Sequence, residues 1–165
     1  MEKKLEVKNL RISFKTANGK VQAVRNINFD LHKGETLAIV GESGSGKSVP
    51  AKAILGIQAG NAITEAGEII YDGQDITDYS KTQMRSLRTE MQIIFQDPYS
   101  SLNPRMTVAD IIGEPLDVHK LYKTKEERQA RILELMSHVG LNSEHASRYA
   151  HEFSGGQRQR IGIAR

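Results

Sequence analysis

Eight residues, Gly41-Glu42-Ser43-Gly44-Ser45-Gly46-Lys47-Ser48, leave this chain few ways to fold. They satisfy the pattern G-x-x-x-x-G-K-[ST]. Glycines let such a loop turn its backbone N–H groups inward and bring them close to phosphate oxygens. A strand is required before the loop and a helix after it. Thr36–Val40 is a short, almost fully apolar run, the pattern of a strand buried on both faces. Lys47–Gly56 reads as the helix, whose first turn offers unpaired N–H donors and a partial positive charge. Lys47 is placed to reach the β- and γ-phosphates of a nucleotide, and the Ser48 hydroxyl to ligate Mg2+. A Gly/Ser linker in a chain of this length would match by accident on the order of one time in a hundred. Pro50 is unusual in the first turn of such a helix. It removes an N–H that would bond back to the Gly46 carbonyl, so a small local cost is expected.

Around this loop the chain mixes strands and helices up to about residue 97 and is dominated by helices afterwards. Leu5–Leu10 and Arg11–Phe14 read as short strands. Asn18-Gly19 is a turn signal, followed by strand-like Val21–Val24 and Ile27–Leu31. Gly67–Tyr71, closed by Asp72-Gly73, and the apolar Met91–Phe95 complete the expected strands. Thr107–Leu116 and Thr124–Val139 read as helices. In the latter, Thr124 and Glu127 have the spacing of a capping box. Ile132, Leu135, Met136 and Val139 share one face, and Gly140 ends the run.

The chain has 165 residues, 38% of them hydrophobic, which fits one globular domain. No apolar run approaches the roughly 18–20 residues of a membrane span, and the start lacks a signal-peptide pattern. Without cysteine there is neither a disulfide nor a thiolate metal site, which suits the cytosol. A net charge of +3 with interspersed acids is too mild to argue for nucleic acid. Lys120, Lys123, Lys125, Arg128 and Arg131 read as a solvated helix face. The five histidines lack metal-ligand spacing and read as solvated or capping side chains.

A second motif, Phe153-Ser154-Gly155-Gly156-Gln157, has the form of a helix start. Ser154 at the N-cap and Gln157 three residues on make a capping box. Two glycines at such a start expose N–H donors and make an anion site.

With both motifs present, the chain resembles the ATP-binding subunit of an ABC transporter. Phe153–Gln157 is similar to the signature LSGGQ, with Phe for the leading Leu, and Gly41–Ser48 is similar to the Walker A loop. Ile94-Phe95-Gln96-Asp97-Pro98 resembles the Q-loop, in which the glutamine touches Mg2+ and faces the membrane partner. Phe14 is the best match to the aromatic that stacks on adenine, although a strand Phe is core by default. QDPYSSLNP at Gln96–Pro104 and HEFSGGQRQRIGIAR at the end are similar to the oligopeptide/dipeptide importer branch.

The resemblance implies an α/β fold: a P-loop NTPase (RecA-like) core with an antiparallel β subdomain and a helical subdomain. Residues 1–97 would hold the antiparallel β region and the P-loop core. Residues 98–153 would form the helical subdomain, and 154–165 the signature and the start of its helix. ATP would be held by Gly41–Ser48 with Val49, Phe14 and Gln96, and Mg2+ by Ser48 and Gln96. Two subunits would form a head-to-tail sandwich, with Ser154, Gly155, Gly156 and Gln157 meeting the ATP of the partner subunit. Further implied partners are transmembrane permease subunits, contacted around Gln96–Arg105 and Thr107–Leu116, and indirectly an extracytoplasmic solute-binding protein. The location implied is the cytoplasmic face of the membrane. The family's Asp-Glu pair and switch histidine follow the signature at positions beyond Arg165, so no catalytic residue is expected within the chain. It reads as an N-terminal fragment missing the C-terminal part of the core, which binds nucleotide, hydrolyses it negligibly and exposes apolar edges. An importer of another solute, such as nickel or an opine-like compound, stays open. So does a soluble ABC-type ATPase acting on ribosomes or DNA, while SGGQ argues against a small-molecule kinase.

Overall fold

A computed structural model gives the fold for residues 2–97 and 101–165. The backbone divides into two compact units, Met1–Gln92 and Ile93–Arg165.

The first unit is built on an antiparallel sheet of order β2-β1-β3-β4, with β1 Lys3–Thr16, β2 Gly19–His32, β3 Ala62–Tyr71 and β4 Gln74–Asp75. The four short strands expected before residue 32 are two long ones with a break in each. Buried positions on β1 run Leu5, Val7, then Leu10, Ile12. An extra residue, Asn9 at φ 51°, shifts the alternation by one and keeps the same face inward. Asn26, at φ 58°, does the same on β2 between Val24 and Ile27. On β3 the matching position is Gly67, at φ 107°. A Cβ there would lie 2.5 Å from the Leu10 Cα, so only glycine fits. The hairpin turns at Ala17 and Asn18, and Gly19 pairs with Thr16, so the turn lies one residue earlier than the Asn-Gly signal suggests.

Two short helices flank this sheet, α1 Ser48–Ile54 and α2 Lys81–Leu87. Val49, Ala53 and Ile54 of α1 pack against the core made by Leu5, Val7, Leu10, Ile12, Val24 and Ile69. The Arg88 guanidinium donates to the Leu55 and Gly56 carbonyls at 3.0–3.1 Å, satisfying the C-terminal end of α1.

The second unit is helical: α3 Val108–His119, α4 Lys125–His138 and α5 Gly155–Ala164, with 3-10 turns at Ser143–Ser147 and Ala150–Glu152. Its core joins Val108, Ile111 and Ile112 of α3, Ile132 and Met136 of α4, Phe153, and Ile161 of α5. The face expected on α4 is the buried one, with Leu135 and Val139 at its margin. Gly140, at φ 69°, ends the helix as expected. The box at its start is only half formed. Thr124 Oγ1 accepts from the Glu127 N–H at 3.2 Å, but the Glu127 carboxylate accepts from the Lys123 N–H, one residue upstream of the cap. The basic cluster beside it is partly paired. Arg128 makes a two-pronged ion pair with Asp117 at 2.6 and 2.7 Å, and Arg131 bonds Glu134 at 2.7 Å.

Two expected strands are absent. Neither Thr36–Val40 nor Met91–Phe95 is a strand, and both carry exposed apolar side chains, Val40 at 88% and Ile94 at 59%. A strand persists only where a neighbour takes up its N–H and C=O groups. Among the described residues no strand pairs with either segment, and every pairing in the sheet is antiparallel. The helix expected over Lys47–Gly56 is also shorter, Ser48–Ile54.

Candidate functional site

The Gly41–Ser48 loop is shaped by its glycines and anchored from behind. Gly44 and Gly46 lie at φ 78° and 84°, in the left-handed region. A Cβ on Gly46 would come within 2.9 Å of the Ala23 carbonyl oxygen, so the loop rests directly on β2. Ser45 N–H donates to the Glu42 carbonyl at 3.2 Å and closes the turn. The Lys47 ammonium lies across the loop, donating to the carbonyls of Gly41 at 2.8 Å and Glu42 at 2.5 Å, with Ser45 Oγ at 3.4 Å. α1 begins without a side-chain cap, since the Lys47 side chain accepts nothing from its leading N–H groups. Glu42, Ser43, Ser45 and Ser48 are exposed.

Val49 and Pro50 behave differently from the rest of the loop. The Val49 side chain faces the core and its N–H donates to the Gly46 carbonyl at 2.9 Å. That carbonyl is therefore satisfied one residue before Pro50. Pro50 stands third in the helix, where an N–H has no intrahelical partner anyway, and its ring is buried. The Gly46 carbonyl thus accepts a hydrogen bond without an N–H at position 50.

Phe14 is half-buried near the hairpin end of β1, paired with Val21 on β2 and Ala62 on β3. Val21 is two residues from Ala23, against which the loop rests, so the aromatic and the loop share one end of the hairpin.

The Ser154–Gln157 motif starts α5 as the capping spacing predicts. Ser154 Oγ accepts from the Gln157 N–H at 3.3 Å, and Gln157 Oε1 accepts from the Ser154 N–H at 3.1 Å. Gly155 and Gly156 form the first turn, and a Cβ on Gly156 would meet nothing within 4 Å. Phe153, ahead of the motif, is 4% exposed. Its ring is T-shaped to the His145 ring, with centroids 5.3 Å apart, and meets the Arg148 guanidinium at 4.9 Å. Glu152 accepts from the Tyr149 N–H at 2.6 Å, which holds its carboxyl below the usual range. Gln96 is exposed and lies in the second unit, as does the signature. Residues 98–100 of the Q-loop stretch lie outside the described residues.

The donor chemistry suits ATP with Mg2+. The acceptors now on Lys47 are neutral loop carbonyls, and exchanging them for phosphate oxygens makes the bonds charge-assisted and stronger. Mg2+ favours oxygen ligands, and the Ser48 hydroxyl of the loop offers one from an exposed position.

Two features escaped the sequence reading. The helix α2 carries a complete Ser80–Gln83 capping box, legible by the rule that found Ser154. The Arg158 guanidinium, by contrast, binds backbone carbonyls of Phe153 and His151, and carbonyl partners leave no trace in sequence.

Comparison with known proteins fits this geometry. The family described as ABC transporter matches residues 24–165. The chain is 54% identical to the oligopeptide transport ATP-binding protein OppF of Bacillus subtilis (strain 168), over 99% of this chain and 53% of that protein. It is 52% identical to the dipeptide transport ATP-binding protein DppF of Lactococcus lactis subsp. cremoris (strain MG1363), over 99% of this chain and 52% of that one. It thus spans about half the length of the curated relatives it matches. Among solved structures it resembles the dimeric bacterial ABC transporter cassette MJ0796, with TM-score 0.82 and 28% identity over 97% of this chain and 67% of that one. A post-hydrolysis state of that cassette bound to ADP and Pi gives a TM-score of 0.83, with the same identity and coverage.

Proposed function

This chain belongs to the ABC transporter family, and from that premise we propose that it is the nucleotide-binding part of a subunit that drives uptake of oligopeptides or dipeptides. The observation that carries this reading is the loop itself. A lysine ammonium is held over inward carbonyls, two glycines sit in the left-handed region, and an uncapped helix follows. Lys47 would release its carbonyls to hold the terminal phosphates, with the loop N–H groups and the N-terminus of α1 stabilising the remaining charge. Ser48 and Gln96 would hold Mg2+, which neutralises phosphate charge when bound. Phe14 would offer its ring to adenine. Ser154, Gly155, Gly156 and Gln157 would face the nucleotide of a second subunit, so that ATP joins the two. Permease subunits would receive the resulting closure at the cytoplasmic face of the membrane. A solute-binding protein would deliver peptide from the other side. The relatives named above are peptide-transport proteins, which supports the choice of peptide over other solutes.

The test has two parts. A fluorescent ATP analogue should bind the wild-type chain, and Lys47→Ala should weaken that binding at least tenfold. In cells lacking their own peptide-uptake ATP-binding subunit, the full-length protein should restore growth on a tripeptide, and its Lys47→Ala variant should not. Restored uptake of nickel without peptide would reject the peptide assignment. Equal analogue binding by the two chains would reject the nucleotide site.

A further inference from the structure

Arg158 closes the first turn of α5, where its backbone N–H donates to the Ser154 carbonyl at 2.9 Å. Its side chain reaches back past the start of the helix. Nε–H donates to the Phe153 carbonyl and Nη2–H to the His151 carbonyl, both at 2.9 Å. The helix does not need this for capping, because Ser154 and Gln157 already complete a reciprocal box. What the guanidinium fixes is the peptide leading into Ser154. The Phe153 carbonyl belongs to the same peptide plane as the Ser154 N–H, so holding one orients the other. Phe153 is held a second time through its ring, which is buried, lies at 81° to the His145 ring and carries the Arg148 guanidinium 4.9 Å from its centroid. The residue before the motif is therefore fixed at its carbonyl and at its side chain. The motif itself is exposed or half-exposed.

We infer that Arg158 is a positioning residue: its two-carbonyl clamp aims Ser154, Gly155 and Gly156 at the terminal phosphate of a nucleotide held by a second subunit. The inference rests on the in-trans reading of the motif given above. A fork is required for it. Two parallel N–H donors at a fixed angle hold two carbonyls at once, whereas a lysine ammonium is a point charge on a flexible stem. The guanidinium also places a permanent positive charge behind a helix N-terminus, adding to the field an incoming phosphate meets.

The test uses the complete subunit, with Arg158→Lys and Arg158→Ala compared with wild type. Gly156→Glu serves as a control, because the open space at that position lets the chain accept the side chain while placing a carboxylate in the path of a phosphate. Three quantities are measured: melting temperature, affinity of the lone subunit for a fluorescent ATP analogue, and ATP-driven association of two subunits followed by light scattering. Displacing a contact group by about an ångström costs on the order of a hundredfold. Both Arg158 variants should therefore keep analogue affinity, held in cis by Lys47, and lose ten- to a hundredfold in ATP-driven association. Arg158→Lys should not rescue. If Gly156→Glu blocks association while Arg158→Ala associates like wild type, the clamp is refuted and the in-trans reading survives. If Gly156→Glu itself associates normally, both fall. If neither Arg158 variant folds, or if Arg158→Lys restores full association, the guanidinium is not an aiming device and the inference is overturned.

Discussion

Gly46 meets two demands that can be separated by experiment. Its φ of 84° disfavours any residue with a Cβ by roughly 1–2 kcal/mol. A Cβ would also meet the Ala23 carbonyl oxygen at 2.9 Å, and a backbone atom within a strand cannot swing aside as the end of a flexible side chain can. Gly44 shares the first demand, at φ 78°, but nothing lies within 4 Å of its Cβ position. Gly46→Ala is therefore expected to lift the loop off β2 and reduce ATP-analogue affinity at least tenfold. Gly44→Ala should cost only the backbone strain. Equal losses, measured by titration with a fluorescent analogue, would show that contact with β2 does not shape the loop. This contrast marks where residue-level reading ends. That position 46 must be glycine follows from the motif pattern. That the reason includes residue 23 does not, because the contact joins residues far apart in the chain and needs no special residue at position 23.

At the scale of elements, the crossing of α3 and α4 depends on a glycine inside a helix. Gly113 of α3 lies beneath the Arg128 guanidinium, and a Cβ there would overlap it and approach Ile132 Cδ1 at 3.0 Å. Gly→Ala within a helix normally stabilises by about 1 kcal/mol. Here the gain should be cancelled, because Arg128 must leave the Asp117 carboxylate it grips with two hydrogen bonds. Asp117 reports this directly, since Arg128 holds its carboxyl below the usual aspartate range. A folded pKa below the unfolded one stabilises the protein at neutral pH. That contribution is complete above the unfolded value of roughly 4 and fades as pH falls through the folded value. In Gly113→Ala the Asp117 titration, followed by NMR, should move up toward the ordinary range, and the acid-side loss of stability from this group should flatten. An unchanged low titration would show that Arg128 tolerates the methyl group. Elements fixed by local chemistry were legible beforehand. Thr107 and Thr124 cap the helices they were read to begin, Ser154 forms the box its spacing implies, and Ile132 and Met136 occupy the buried face. The bulges hid the length of β1 and β2, because one inserted asparagine reverses the alternation and imitates a strand end. Thr36–Val40 and Met91–Phe95 have strand composition, but pairing is a property of two segments and a single segment cannot reveal it.

For the molecule as a whole, the consequence of those unpaired segments is exposed apolar surface. Leu37, Ile39 and Val40 in the first unit, and Ile94 and Phe95 in the second, are each between 41% and 88% exposed. Scattered apolar residues on a surface are ordinary, but runs of them in segments that pair with no strand among the described residues offer a template for strand addition. Each unit has its own core, and its central residues, Leu10 and Ile12 in one and Ile132, Met136 and Ile161 in the other, are 0% exposed and provide local stability. The expected behaviour of the 165-residue polypeptide is a folded chain with a sticky surface rather than an unfolded one. It should show native secondary structure by circular dichroism, bind a hydrophobic dye, and associate increasingly between micromolar and hundred-micromolar concentration. Val40→Lys changes the most exposed of these side chains and touches neither core. It should lower dye binding and association while leaving stability, read from thermal melts, within about 0.5 kcal/mol of wild type, as for most surface changes. Wild-type chain that stays monomeric and dye-free over that range would mean that these segments are covered in solution. A Val40→Lys variant that melts much earlier would mean that residue 40 belongs to a core after all.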